Sequence, residues 1–242
     1  GDVEIATALS WLPELLGGLD AKLICGLQSG SSRLLVDRKS RFKRIEDLYR
    51  HTIALPDAAG GPDAGADRLF FSIVMRRKGM NPNKDVNWVS VAPERFGEAL
   101  ASGEAQAVGG HDPVIWEAKE SLHLNELASS MTGSYGTRVV RVLGARNDLL
   151  DRDPRAAVSL VLAFQDAARA VASHLAETAS VMADQLPDMP QDSILKMLQA
   201  ENHAVHPVGQ ELREQIAQYV DELKLIGLVA EEIYEEDVGP LL

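Results

Sequence analysis

Three short polar turns hold the side chains best placed by type and spacing to grip a small anion. Gln28-Ser29-Gly30-Ser31-Ser32 gathers hydroxyl donors around a flexible glycine, although a plain β-turn has the same composition. Asp57-Ala58-Ala59-Gly60-Gly61-Pro62-Asp63 stands just before a helical run. The unbonded N–H groups of a helix's first turn, with the helix dipole, favour an anion, and Gly60 and Gly61 would let one approach the backbone. Asp57 or Asp63 acting as N-cap would take the same donors and repel it. In Gly109-Gly110-His111-Asp112-Pro113, His111 could donate a hydrogen bond or titrate near neutrality, or simply start a helix.

Catalytic chemistry has less to work with. Asp112 and His111 are adjacent, so by themselves they do not make a base and its orienter, and no Gly-x-Ser-x-Gly elbow is present. The glycine-rich turn at 57–63 lacks the Gly-Lys-Ser/Thr ending of a phosphate loop. His203 and His206 form a pair without a third ligand, and no Cys/His cluster has zinc or iron–sulfur spacing. Cys25, the one cysteine, sits in the apolar run AKLICGL and reads as a buried thiol with no internal disulfide partner. No enzyme, cofactor or metal is expected.

These turns need a scaffold of strands. The pattern predicts strands at 3–9, 21–27, 33–37, 52–55, 86–91 and 105–109 and a further one from Thr137 through VVRVLGA. Short helices are expected near 11–17 and 45–49, a longer one through Leu69, Phe70, Ile73 and Val74 to Lys78-Gly79, one from Pro93 to Ala101, and one carrying Trp116. Strand–helix alternation with right-handed crossovers implies a parallel sheet whose ligands bind at the strands' carboxyl ends. After the strand from Thr137 the remainder to Leu242 reads as mostly helical, beginning with DPRAAVSLVLAFQDAARAVASHLAE, which carries an apolar stripe of Val158, Leu162, Phe164 and Val171.

The 242 residues allow one large domain or two small ones. A net charge of −12 disfavours nucleic acid and anionic membrane as partners, while leaving room for a locally positive pocket. No run approaches the ~20 consecutive apolar residues of a bilayer span.

The order of pieces resembles the solute-binding proteins of bacterial ABC importers for nitrate, sulfonate, taurine and thiamine-precursor pyrimidines. GDVEIATA is similar to that family's G-x-x-D-I-A strand, IEDLYRHTIALP to its I-x-D-L-x-G-K-x-I-A, and ALASGEAQAVGGHDPVIWEA to its A-L-x-x-G-x-x-D-A strand and turn; AKLICGLQSGSSRLLV and RRKGMNPNKDVNWVSV also match. Arg50 stands near the usual Gly and Gln106 where an acidic residue is common. The resemblance implies an α/β, two-lobed periplasmic-binding-protein-like fold with mostly parallel sheets and a helical C-terminal part. Residues 1–50 and 137–242 would form one lobe and 51–136 the other. The family's members normally begin with a further strand–helix–strand–helix segment, so the chain is expected to lack it.

The resemblance further implies a small anionic or zwitterionic nutrient captured between lobes by Ser10, Trp11, Ser29, Gly30, Ser31, Asp57, Gly60, Gly61, His111, Asp112 and Tyr135. A membrane permease would be the partner, with no insertion of the chain itself, and the location would be periplasmic or lipid-anchored outside the cytoplasm. The alternatives are a ligand-sensing regulatory protein on the same fold, cytoplasmic in that case, or a pyrimidine-precursor synthase-like enzyme, whose cysteine-rich motif is missing here. For Trp11 and Tyr135 packing roles stand beside binding ones.

Overall fold

Strands and helices alternate through the first half of the chain and helices dominate the second in the computed structural model, which describes residues 1–56, 65–233 and 239–241. In chain order they are β1 (Val3–Thr7), α1 (Ala8–Leu16), β2 (Ala21–Ser29), β3 (Ser32–Val36), β4 (Thr52–Leu55), α2 (Ala66–Arg77), β5 (Asn87–Ser90), α3 (Phe96–Ser102), β6 (Ala107–His111), α4 (Val114–Ser121), β7 (Asn125–Ser129), β8 (Val139–Arg146), α5 (Asn147–Arg152), α6 (Pro154–Ser173), α7 (Leu175–Ala183), α8 (Gln191–Ala200) and α9 (Gly209–Leu225). The chain divides into two compact units, one of Gly1–Gly30, Gly133–Leu175 and Asn202–Leu242, the other of Ser31–Thr132 and Ala176–Glu201.

The first unit holds an antiparallel sheet in the order β1-β8-β2. Thr7 ends β1 and caps α1, its hydroxyl accepting from the Ser10 backbone N–H at 3.1 Å. Leu9, Trp11, Leu12 and Leu15 recur at helical spacing and are buried. The Trp11 ring packs against Gly144, where a Cβ would fall 2.5 Å from Cζ2, and its indole N–H donates to the Val142 carbonyl at 3.1 Å. α9 packs on α1 and β2 through buried Leu212, Ile216, Tyr219, Val220 and Leu223. The 202–207 segment lies along β2, with Gly26 N–H donating to the Pro207 carbonyl at 2.8 Å.

The second unit holds a five-stranded sheet in the order β5-β4-β6-β3-β7. β4 is parallel to β5 and to β6, whereas β3 runs against both of its neighbours, β6 and β7. Its core joins Leu35, Ala54, Phe96, Val108 and Ile115, so that α3 and α4 are seated on the sheet by their apolar faces.

Several details differ from the sequence expectation. Among the described residues parallel pairing is confined to β4 and its two neighbours, because β3 enters the second sheet between β6 and β7 in the opposite sense. That pairing also draws residues 31–50 into the second unit, and 176–201 belong there too. β7, reading Asn-Glu-Leu-Ala-Ser, has no β-branched residue and no clean alternation to announce it. β6 continues through Gly109, Gly110 and His111, so these are strand residues rather than a turn.

The α6 stripe is largely exposed, Val158 by 59% and Leu162 by 53%. By length and composition α6 is long and apolar enough to cross a bilayer, and Ala157 alone of its residues is buried. The Asp166–Arg169 ion pair lies in its C-terminal half.

Gly144→Ala forces a methyl into the Trp11 ring. It should lower unfolding free energy in urea by about 1–3 kcal/mol, the usual cost of overpacking, and an unchanged midpoint would contradict this packing.

Candidate functional site

The antiparallel register of β3 and β6 pairs Ser32 with His111, setting the first residue of one strand beside the last of the other. Because β6 is parallel to β4, that corner is at the sheet end from which the chain leaves β4 toward α2. Asp67 lies in the first turn of α2, where the helix dipole favours a carboxylate. Both of its oxygens are used: the Ser32 hydroxyl donates to Oδ1 at 2.8 Å, and His111 Nδ1 lies 2.7 Å from Oδ2.

The carboxylate therefore fixes the imidazole's orientation and favours the tautomer with its proton on Nδ1. The Asp67 side chain is mostly buried, while that of His111 is 41% exposed, so the ring is a fixed polar group within reach of a solute. The Ser130 hydroxyl accepts from the Ser32 backbone N–H at 2.9 Å, and Ser129 accepts from the Met131 N–H at 3.0 Å, which ties the end of β7 to the same corner.

Successive strand residues point to opposite faces, so Arg33 faces away from Ser32. Its guanidinium reaches Asp112 through Nε at 3.2 and 3.3 Å and through a terminal nitrogen at 3.2 Å, and reaches Glu126 through the other at 2.6 Å. It also lies 5.2 Å from the centre of the Trp116 ring. The Arg33 and Asp112 side chains are only 5% and 2% exposed. Burial pulls Arg33 down, yet the Asp112 and Glu126 carboxylates more than offset it and hold the guanidinium above its ordinary pKa. Burial pushes the Asp112 carboxyl up, against the pull of Arg33.

The expected binding residues thus separate. His111 is in the corner; its neighbour Asp112 is spent on Arg33 and is a framework residue. Ser31 gives its carbonyl to the Asp112 N–H at 3.3 Å, and Gly30 is buried where the chain leaves the first unit. Ser29 belongs to the first unit and donates to the Asn202 carbonyl at 3.0 Å. Ser10 is bonded to Thr7, hydroxyl to hydroxyl, at 2.8 Å. Trp11 is a core residue, because Gly144 opens a slot for its ring. The Tyr135 hydroxyl donates to Glu222 at 2.9 Å, which makes it part of a buried Arg138–Glu222 assembly in the first unit. Asp57, Gly60 and Gly61 lie outside the described residues.

Sequence reading missed Asp67 and Arg33 and named Ser32 only as part of a turn. An acidic first-turn residue is so ordinary at a helix start that Asp67 carried no signal of its own.

Ser32 and His111 both bond to Asp67, an order unlike that of an activated serine, whose hydroxyl faces the imidazole. Among the described residues no three His, Cys, Asp or Glu side chains are grouped closely enough to hold a metal ion. The His206 ring nitrogens lie 3.0 Å from the Leu27 carbonyl and 2.7 Å from that of His203, so this histidine serves the 202–207 segment. Burial pushes the Cys25 thiol up, away from the reactive thiolate.

A family model described as the NMT1-like family matches residues 18–186. No curated protein matches the chain. Among solved structures, the periplasmic aliphatic sulphonate binding protein SsuA from Escherichia coli aligns with a TM-score of 0.78 at 16% identity, over 100% of this chain and 79% of that one. The alkanesulfonate-binding protein SsuA from Xanthomonas axonopodis pv. citri, bound to MOPS, gives 0.77 at 15% identity, over 98% and 79%. The periplasmic nitrate-binding protein NrtA from Synechocystis PCC 6803 gives 0.71 at 13% identity, over 98% and 70%. At these identities the likeness shows the fold, that of the two-lobed periplasmic binding proteins.

Arg33→Ala leaves the buried Asp112 charge without its partner and should cost about 3–5 kcal/mol in denaturant, while Arg33→Met with Asp112→Leu recovers most of it. An Asp carboxyl that is harder to ionise in the fold contributes stability below its unfolded pKa, about 3.9, and loses it as pH rises through the higher folded value. Unfolding midpoints of Asp112→Asn should therefore fall less steeply above about pH 4 than those of the unsubstituted protein; parallel curves would contradict the burial of this charge.

Proposed function

This chain belongs to the NMT1-like family, and we propose that it is the solute-binding component of an ABC importer, capturing a small anionic or zwitterionic nutrient without transforming it. The observation that carries the reading is the Ser32–Asp67–His111 corner, where a carboxylate buried at a helix start holds an accessible imidazole at the end of β6. With Nδ1 on Asp67, His111 presents Nε2, which in the imidazolium form donates an N–H to the oxygens of a nitrate or sulfonate; a zwitterion such as taurine adds an ammonium suited to the acidic surroundings. Ligands of open α/β sheets bind outside the carboxyl ends of parallel strands, which is where β4 and β6 deliver this corner.

The importer reading brings with it a membrane permease as partner and a location outside the cytoplasm. It is supported by the fold shared with the sulphonate- and nitrate-binding proteins and by hydroxyl and imidazole groups bonded to a carboxylate rather than arranged as nucleophile and base.

Thermal unfolding against nitrate, bicarbonate, methanesulfonate, taurine, aromatic carboxylates and pyrimidines tests it. A true ligand at 100 times its dissociation constant should stabilise by about 2.7 kcal/mol. His111→Ala and Asp67→Asn should each weaken binding about tenfold or more, the loss of a charge-assisted hydrogen bond. No shift with any compound, or a shift untouched by both substitutions, would overturn the assignment.

A further inference from the structure

A groove of about 270 Å³ on the second unit shares no lining residue with the Ser32–Asp67–His111 corner; it is lined by Pro93, Glu94, Gly97, Val114, Glu117, Ala118, Ser121 and Leu122. Its apolar wall comes from Val114, Ala118 and Leu122, and two of these, Val114 and Leu122, are exposed large hydrophobics. Gly97 has no side chain to fill it: a Cβ there would meet Leu122 Cδ2 at 3.0 Å. Drug-sized ligands occupy pockets of about 300–1,000 Å³, so this groove suits a single side chain.

Two carboxylates, Glu94 and Glu117, stand in its lining, and neither has a side-chain partner among the described residues. The cations close to them in sequence are directed elsewhere. Arg95 is bonded to Glu98 at 3.2 Å and Glu104 at 3.4 Å, and the Lys119 ammonium sits 5.3 Å from the centre of the Trp116 ring. The groove thus combines exposed aliphatic surface with two carboxylates that no cation among the described residues pairs with.

We propose that this groove is a docking site for an arginine or lysine side chain on a protein partner, its aliphatic stem on Val114, Ala118 and Leu122 and its charge at Glu94 and Glu117. Long cationic side chains bury an apolar stem and keep the head polar, the complement of this lining. On the importer reading, which supplies the partner's identity, the side chain belongs to the membrane permease, and docking leaves the corner at Ser32, Asp67 and His111 untouched.

The probe is N-acetyl-arginine N-methylamide, set against its citrulline counterpart, which keeps the shape and loses the charge. In amide NMR spectra of the full chain, the arginine probe should move the Gly97, Ala118, Ser121 and Leu122 signals with millimolar affinity. The citrulline probe should not, and Glu94→Gln with Glu117→Gln should weaken the arginine effect about fivefold or more, as should high salt. Equal shifts from citrulline, persistence in the double variant, or no response to arginine would overturn the docking site. None of these outcomes bears on anion binding at His111, which the thermal titration reads separately.

Discussion

One buried cation, Arg33, sets the geometry on which the candidate site rests. It projects from β3, between β6 and β7, and its guanidinium holds Asp112 at the end of β6 and Glu126 on β7. A strand's side chains alternate between faces, so a one-residue slip of β3 would turn Arg33 out and Ser32 in. Fixing Arg33 on one face therefore fixes Ser32 opposite His111 on the other. Buried ion pairs add little net stability once desolvation is counted, but they penalise the wrong register heavily. The pair is best understood as a register lock, with the Trp116 ring over the guanidinium and Trp116 itself held by a 3.1 Å bond to Ser193 on α8.

The first unit uses the same device for a different purpose. Arg138, just before β8, pairs at 2.9 Å with Glu222 on α9, and the Tyr135 hydroxyl donates to the same oxygen. The guanidinium lies 4.8 Å from the Tyr135 ring centre and 5.0 Å from that of Tyr219. Burial pushes the Tyr219 phenol far up, so it stays neutral beside this pair. The result ties the C-terminal helix to the sheet next to the point where the chain passes into this unit at Gly133. For Tyr135 and Trp11, whose packing and binding roles both stood open, the structure shows Tyr135 half-buried on Glu222 and Trp11 buried against Gly144.

Local features of the sequence carried over well where physics is local. The strand at Thr52–Leu55 is an apolar run closed by Pro56, and α2 shows its helical spacing plainly. What escaped were features set by partners distant in the chain. Asp112 looked available until Arg33, 79 residues away, claimed it. Trp11 was open to a cleft or a core role, and the Val142 carbonyl, 131 residues away, that takes its indole N–H supports the core. The Gly109-Gly110 pair suggested a turn, yet Gly109 sits inside β6, where a Cβ would fall 2.9 Å from Leu55 and 3.0 Å from Phe71; glycine is there for close packing of α2 and β4 on the strand. Asp67 was illegible because its role depends on the β3–β6 register, which no local pattern encodes.

The central claim is that a fixed imidazole at the end of β6 receives the solute's polar group. Six histidines make nitrogen NMR of 15N-histidine-labelled protein tractable, with His111→Gln assigning the signal. Titrating in methanesulfonate, taurine or nitrate should shift the His111 ring nitrogens, saturate together with binding measured by calorimetry, and leave His206 where it was. A ligand that binds by calorimetry while the His111 nitrogens stay still would contradict the account.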